Sequence, residues 1–211
     1  PIFNEEKNIA LLVNEIMSIN EIDEIKEIVL VDDKSTDNTK HIITNLKNTN
    51  SVVNLFFHKK NFGQSQALYT GVKMAKSDII ITLDADLQNN PKDISKLFNI
   101  YFSDINTKLV GGIRGNRKDN LIKRMSSKFA NFVRKFFLND ECDDTGCSLK
   151  MFDRNVFLSF PYFNGIHRFL PALFKYSGSK NQFVFVDHRP RKYGFSKYGT
   201  LDRAIKGLKD L

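Results

Sequence analysis

Short apolar runs alternate along this chain with longer segments whose apolar residues recur at helical spacing. Runs of the strand type occupy residues 27–31, 52–57 and 79–83, and the tail of another stands at residues 1–3. Between these runs, apolar residues recur every three or four positions, which predicts amphipathic helices. Strands that alternate with helices favour a mostly parallel sheet with helices on both faces. The first half of the chain therefore predicts an α/β fold with a doubly wound sheet.

The apolar residues that define the three predicted helices are Ile9, Leu12, Val13, Ile16 and Met17 in the first, Ile42, Ile43 and Leu46 in the second, and Ala67, Leu68, Gly71, Val72 and Ala75 in the third. A fourth helix is expected to begin at Pro91, since proline is favoured in the first turn of a helix.

The second half of the chain is less regular. Strand-like runs recur at residues 109–113, 149–152 and 183–186, and residues 122–137 have the apolar spacing of a helix. Residues 188–199 are basic, contain two glycines and lack apolar periodicity. We expect this last segment to be a mobile loop that closes over phosphates, with a solvated linker as the alternative.

Acidic residues follow two of the predicted strands. Asp32 and Asp33 end one strand, and Asp84 and Asp86 follow another. The carboxyl ends of neighbouring parallel strands form the edge at which α/β sheets bind ligands. On extended backbone Asp84, Asp86 and Gln88 would point the same way, and their oxygens suit Mg²⁺ or Mn²⁺ when substrate phosphates complete the shell. The alternative is a turn that carries solvated acids.

The charge of the chain indicates an anionic partner. Its 211 residues are enough for one domain with a sizeable core, and 32 Lys and Arg against 24 Asp and Glu give a formal net charge of +8. Between Arg114 and Lys135 there are eight basic residues and a single acid. Most of these lysines are also consistent with a solvated helix face. The arginines are the better phosphate ligands, because a guanidinium fork matches phosphate oxygens.

The two cysteines and the ends of the chain add further expectations. Cys142 and Cys147 lack zinc-site spacing, so we expect reduced thiols. Because the first residue is Pro1 and not Met, we expect a fragment that starts inside a strand. Residues 200–211 can form an amphipathic helix suited to an anionic bilayer surface, or one packed on the domain. The sequence gives no indication of the oligomeric state.

Six short motifs follow one another along essentially the whole chain. They are Pro-Ile-Phe-Asn-Glu-Glu (1–6), Val-Asp-Asp-Lys-Ser-Thr-Asp (31–37), Asn-Phe-Gly (61–63), Asp-Ala-Asp-Leu-Gln (84–88), Asp-Thr-Gly-Cys (144–147) and Tyr-Gly-Phe-Ser-Lys-Tyr (193–198). In this order they resemble glycosyltransferase family 2, and within it the polyprenyl-phosphate glycosyltransferases. Lys34 stands where this family usually has glycine, and Phe195 stands where it often has glutamate. The resemblance also implies membrane-spanning helices after Leu211.

The resemblance implies a GT-A fold, a divalent cation and inversion at the anomeric carbon. It also implies a nucleotide-sugar donor, with a UDP-sugar favoured over GDP-mannose, and a polyprenyl-phosphate acceptor at the cytoplasmic face of a membrane. The donor would be bound by Pro1, Phe3, Glu5, Val31, Asp33, Asp84, Ala85, Arg191 and Lys197. The cation would be held by Asp84, Asp86 and Gln88, and the acceptor phosphate by Arg114, Arg117 and Arg124. Asp86, Arg114 and Asp144 are the expected catalytic residues.

The acceptor and the reaction class leave alternatives open. A lipid phosphate is already an anion and needs no strong base, so Asp144 is expected to position the acceptor; with a hydroxyl acceptor, such as a saccharide, it would be the general base. A sugar-nucleotide nucleotidyltransferase would need a Gly-rich phosphate loop after its first strand, which residues 4–6 do not form. A nucleic-acid-binding module would use the basic helix but not the acids at strand ends, so we expect no nucleic-acid partner.

Overall fold

The computed structural model describes residues 1–19, 24–115 and 141–193. In the first half of the chain, every predicted strand and helix is present. The elements are α1 (Ile9–Met17), β1 (Ile28–Asp32), α2 (Thr39–Thr49), β2 (Val53–Phe57), α3 (Gln64–Met74) and β3 (Ile79–Thr82). The tail at residues 1–3 pairs with β1 through a single parallel bridge, Ile2 to Asp32.

The described part of the second half contains the three predicted strands and three helices. After a 3₁₀ turn at Pro91–Asp93 come α4 (Ile94–Ser103), β4 (Thr107–Arg114), β5 (Lys150–Asp153), α5 (Arg154–Ser159), α6 (Ile166–Tyr176) and β6 (Lys180–Val186). Helices α5 and α6 were not predicted. The helix predicted at 122–137 and the terminal helix at 200–211 lie outside the described residues, as does the 188–199 loop beyond Tyr193.

The strands pair in a mixed sheet and a parallel pair. β1 and β2 are parallel, and the four-stranded sheet has the order β3-β5-β4-β6. Strand β5 runs antiparallel to both of its neighbours, whereas β4 and β6 are parallel. Because β3 and β4 both oppose β5, they run in the same direction, and the predicted parallel arrangement holds for β3, β4 and β6. The start of β5 therefore lies at the edge where β3 and β4 end.

Helices cover both faces of the four-stranded sheet. Consecutive residues of a strand point to opposite faces, and Leu109 and Val110 of β4 accordingly belong to different apolar clusters. Val110 packs with Leu97 of α4, while Leu109 packs with residues of α3, α5 and α6. A third cluster joins α1 and α2 to β1. Among the described helices, none is long and apolar enough to cross a bilayer.

Candidate active site

The acids that follow β3 lie in a turn braced from two sides. Asp84 Oδ1 accepts a hydrogen bond from Gln64 Nε2 at 2.9 Å, and the Asp84 backbone N–H donates to Ser148 Oγ at 3.0 Å. Asp86 is buried, and its Oδ1 accepts from the Gln88 backbone N–H at 3.1 Å. Ser148 Oγ also donates to Asn89 Oδ1 at 2.8 Å. The segment before β5 therefore fixes the backbone of this acid turn, which we define as residues 84–89.

The acid turn is not extended, so the alternation argument for its side chains was wrong. Strand β3 ends at Thr82, and Leu87 has a φ of 62°, in the left-handed region. The Gln88 side chain consequently faces the segment before Arg191, where its amide donates to Arg189 O at 3.4 Å. The proposal that Gln88 is a metal ligand thus has no support from backbone periodicity.

The surroundings of Asp84 disfavour its charged form. Burial first, and then the negative charge of Asp86, raise the pKa of Asp84 above its ordinary value. The Lys150 ammonium acts in the opposite direction. A cation beside both acids would relieve the repulsion, and this is the observation that fits a divalent metal here. The described residues contain no group of three His, Cys, Asp or Glu with metal-site geometry, so further ligands would have to come from other groups.

Asp33 anchors the loop that leads into α3. Its Oδ1 lies 2.7 Å from His58 Nδ1 and accepts from Phe62 N at 2.9 Å, and its Oδ2 accepts from Gly63 N at 2.7 Å. Asn61 Nδ2 donates to the Asp33 carbonyl at 3.1 Å. The carboxylate is buried and three protein nitrogens contact it. Its structural role is therefore to join the second motif to the third.

The first two motifs interlock. Asn4 N donates to Ser35 Oγ at 2.9 Å, and Asn4 Oδ1 accepts from Thr36 N at 2.7 Å. Glu5 N donates to Thr39 Oγ1, also at 2.9 Å. Lys34 has a φ of 65°, a conformation that glycine adopts without strain. This backbone conformation explains why glycine is usual at that position in the family that the motifs resemble.

Arg191 lies between two buried acids. Its Nη2 is 2.5 Å from Asp86 Oδ2, and its Nη1 is 3.7 Å from Glu5 Oε1. Glu5 Oε2 accepts from Asn8 Nδ2 at 2.6 Å. The predicted diphosphate ligand therefore contacts a predicted metal ligand directly in this structure.

Arg114 and Asp144 form a two-pronged ion pair at the end of β4. Arg114 Nε donates to Asp144 Oδ2, and Arg114 Nη2 to Oδ1, both at 2.7 Å. The Arg114 backbone N–H adds a third bond to Oδ2 at 3.1 Å. Both carboxylate oxygens are therefore occupied by Arg114 donors. This arrangement orients the guanidinium and favours positioning over base catalysis for Asp144.

Replacing Gly146 by Ala should disturb this ion pair. A Cβ at Gly146 would stand 2.9 Å from Arg114 Nη2, so the guanidinium would have to shift. We expect a loss of about 1–2 kcal/mol in the free energy of unfolding and roughly tenfold slower transfer at low acceptor concentration. Urea unfolding and steady-state kinetics would measure both effects. Gly115→Ala is the matched control, because its Cβ would meet the nearest atom at an ordinary 3.7 Å; equal behaviour of the two variants would contradict the prediction.

The structure brings some predicted donor residues to the site edge but buries the side chains of others. Glu5, Asp33, Asp84, Asp86 and Arg191 are connected to the acid turn or its neighbouring loops by the contacts above. Val31 and Ala85 are buried, with only 1% and 6% of each residue exposed, so a nucleoside could contact no more than a small part of either residue. Pro1 and Phe3 flank the Ile2 bridge to β1. Arg117, Arg124 and Lys197 lie outside the described residues.

Several polar residues near the site were not predicted. Gln64, Ser148 and Lys150 support the acid turn or the loop before β5. Lys150 is buried, and its ammonium donates to Thr145 O at 3.1 Å and to Cys147 O. A polar residue directly after the Asn-Phe-Gly motif could have pointed to Gln64. A lysine inside a strand could have pointed to Lys150, because buried lysines require partners.

A buried serine–histidine contact joins α3 to α6 beside these residues. Ser65 Oγ accepts from Gly165 N at 2.8 Å and lies 2.8 Å from His167 Nδ1. Burial, followed by the charges of Arg168 and Lys150, lowers the pKa of His167 to about 3. The imidazole is therefore neutral, and its tautomer decides whether Ser65 Oγ or His167 Nδ1 is the donor in this contact. No sequence motif indicated this contact.

Comparison with known proteins agrees with the predicted family and fold. The family model "Glycosyl transferase family 2" matches residues 1–159. The undecaprenyl-phosphate 4-deoxy-4-formamido-L-arabinose transferase of Yersinia pestis (strain Pestoides F) is 30% identical over 213 residues, covering 100% of this chain and 64% of that protein. The enzyme of that name from Pectobacterium carotovorum is 30% identical over 203 residues, covering 95% and 62%. The chain thus spans slightly less than two thirds of these relatives.

Two kinds of solved structure share the fold. Mannosyl-3-phosphoglycerate synthase from Rubrobacter xylanophilus superposes with a TM-score of 0.77 at 14% identity, covering 100% of this chain and 70% of the other. Glucosyl-3-phosphoglycerate synthase from Mycobacterium tuberculosis, in complex with Mn²⁺ and UDP-glucose, gives 0.71 at 16% identity, covering 92% and 70%. These similarities confirm the predicted GT-A fold.

Proposed function

Because this chain belongs to glycosyl transferase family 2, we propose that it transfers a sugar from a nucleotide-sugar donor to a polyprenyl-phosphate acceptor, with inversion and with a divalent cation. One observation carries the proposal. The acid turn at the end of β3 and the Arg114–Asp144 pair at the end of β4 stand at one edge of the sheet, joined by the segment that enters β5. With a cation at Asp84 and Asp86 and the acceptor phosphate at Arg114, the two reactants would lie side by side.

On the donor side, departure of a nucleoside diphosphate builds negative charge on its β-phosphate. Asp84 and Asp86 are the residues that would hold a cation, which when bound would neutralise that charge; Gln88 remains a further candidate ligand. Arg191 and Lys197 would bind the diphosphate, and Pro1, Phe3, Glu5, Val31, Asp33 and Ala85 would frame the nucleoside. The glucosyl-3-phosphoglycerate synthase complex holds Mn²⁺ and UDP-glucose. It supports Mn²⁺ as the cation and a UDP-sugar as the donor.

On the acceptor side, a lipid phosphate is itself the nucleophile. Asp144 holds the Nε and Nη2 side of Arg114 and so orients its guanidinium, whose remaining donors would bind that phosphate, with Arg117 and Arg124 as additional ligands. A hydroxyl acceptor would need Asp144 as a base, and the Arg114 donors that occupy both of its oxygens argue against that role. The names of the relatives, which specify undecaprenyl phosphate, support the lipid acceptor.

The lipid acceptor also determines where the enzyme works. Such an acceptor stays in the bilayer, so the catalytic edge must approach the headgroups, on the cytoplasmic face where nucleotide sugars are available. The net charge of +8 favours contact with an anionic surface. We therefore expect the protein to co-sediment with anionic vesicles. No co-sedimentation at either low or high salt would contradict this part of the proposal.

A screen of UDP- and GDP-sugars by thermal shift tests the donor. With Mn²⁺ present, a donor at 100 times its Kd should add about 2.7 kcal/mol to the stability of the folded state. The stabilising donor is then offered a polyprenyl phosphate or a soluble saccharide in a transfer assay. Release of a nucleoside diphosphate with the lipid alone supports the proposal. Release of pyrophosphate, or transfer only to the saccharide, would contradict it.

A further inference from the structure

Arg191 and Arg189 differ in how fully their guanidinium groups are satisfied. Arg189 Nη1 contacts both Glu15 oxygens at 3.0 and 2.7 Å, and its Nη2 donates to Asn90 Oδ1 at 2.6 Å. Arg191 makes a short contact with Asp86, but its Nη1 is buried and has no hydrogen-bond partner among the described residues. Both terminal nitrogens of Arg189 therefore have acceptors, whereas among the described residues only one terminal nitrogen of Arg191 has one.

The position of Arg191 matches the place where a cation is expected. Its guanidinium lies against Asp86, one of the two acids of the acid turn, with Nη2 2.5 Å from Asp86 Oδ2. Glu5 Oε1, at 3.7 Å, is too distant for a hydrogen bond but close enough for electrostatic attraction. Among the described residues, Arg191 Nη1 therefore has no acceptor. Leaving a buried guanidinium nitrogen without an acceptor is unfavourable.

We propose that Arg191 is a built-in cation that occupies Asp86 until metal and donor diphosphate arrive together. The inference rests on the proposed function and adds a binding order to it. A divalent cation alone must displace the guanidinium without offering it another anion. A cation that arrives with a diphosphate brings the phosphate oxygens to which Arg191 can transfer, including the acceptor that Nη1 lacks. Metal and nucleotide consequently bind as a pair and each binds weakly alone.

The test is a titration of the nucleotide-free protein with Mn²⁺ at pH 7.5. Electron paramagnetic resonance measures the bound and free Mn²⁺. Arg191→Met removes the guanidinium while keeping an unbranched apolar side chain. We expect Arg191→Met to bind Mn²⁺ alone about tenfold more tightly than the wild type, because the metal no longer competes with a charge-assisted hydrogen bond. We also expect its affinity for UDP in the presence of Mn²⁺ to fall about tenfold, because a diphosphate ligand is lost.

Arg189→Met is the matched control, since Arg189 lies in the same segment and contacts Glu15 and Asn90 instead of Asp86. It should leave the affinity for Mn²⁺ alone unchanged. Tighter metal binding after loss of a side chain is a gain that misfolding cannot produce, and a circular dichroism spectrum confirms the fold of both variants.

Two failures are distinguishable. If the wild type binds UDP with Mn²⁺ but Arg191→Met binds Mn²⁺ alone no more tightly than the wild type, the role of Arg191 is overturned and the proposed function stands. If neither Mn²⁺ nor any nucleotide binds the wild type, the proposed function itself is overturned.

Discussion

Replacing Asp86 by Asn should reduce sugar transfer by at least about a thousandfold while leaving the fold intact. Asparagine keeps the side-chain oxygen that accepts from Gln88 N, so the turn is retained. It removes the charge that would hold the cation and that attracts Arg191. Without the cation, the negative charge that develops on the departing diphosphate is neutralised less well, and the transfer step slows. Transfer assays with radiolabelled donor measure the effect.

The control for this prediction is Asp104→Asn. Asp104 is a partly exposed acid that pairs with Lys180 at 2.8 Å, away from the acid turn. It should retain wild-type turnover, and thermal unfolding should show both variants folded. Full activity of the wild type in excess chelator, or wild-type turnover of Asp86→Asn, would refute the metal-dependent mechanism.

Replacing Asp33 by Ala should give the largest loss of stability among the site residues. Asp33 is buried, and its substitution leaves the partly buried N–H groups of Phe62 and Gly63 and the His58 ring without their acceptor. We expect the free energy of unfolding to fall by about 2–4 kcal/mol. Asp33→Asn should be only slightly milder, because an amide NH₂ would then face one of these N–H groups. Donor binding should also weaken, since the 58–63 loop leads directly to Gln64 and its bond to Asp84.

Urea unfolding with Asp37→Asn as control measures this prediction. Asp37 is a motif acid whose oxygens accept from Thr39 N and Glu6 N at 3.0 and 3.3 Å, and it is less buried than Asp33. Asp37→Asn should lower the free energy of unfolding by well under half as much as Asp33→Ala does. A change of less than about 0.5 kcal/mol for Asp33→Ala would show that the loop does not depend on the carboxylate.

The sequence predicted those parts of the fold and site that follow from local pattern. Apolar runs with β-branched residues located β1 and β3, and helical spacing located α1 to α3, because the side-chain periods of strand and helix differ. The acids directly after β1 and β3 indicated the edge of the sheet, since polar groups that end buried strands emerge there. The order of six motifs identified the family that the comparison confirmed.

Contacts between distant parts of the chain required the tertiary structure. The antiparallel direction of β5 brings residues 144–149 to the acid turn, and no local pattern specifies strand direction. The left-handed Leu87 ends the extended backbone, and the long-range partners of Asp84, Asp144 and Arg191 stand 20, 30 and 105 residues away along the chain. Periodicity reports whether a side chain is buried or exposed, because burial depends on the local backbone. Which charged groups meet depends on how the buried elements pack, and only the folded chain determines that.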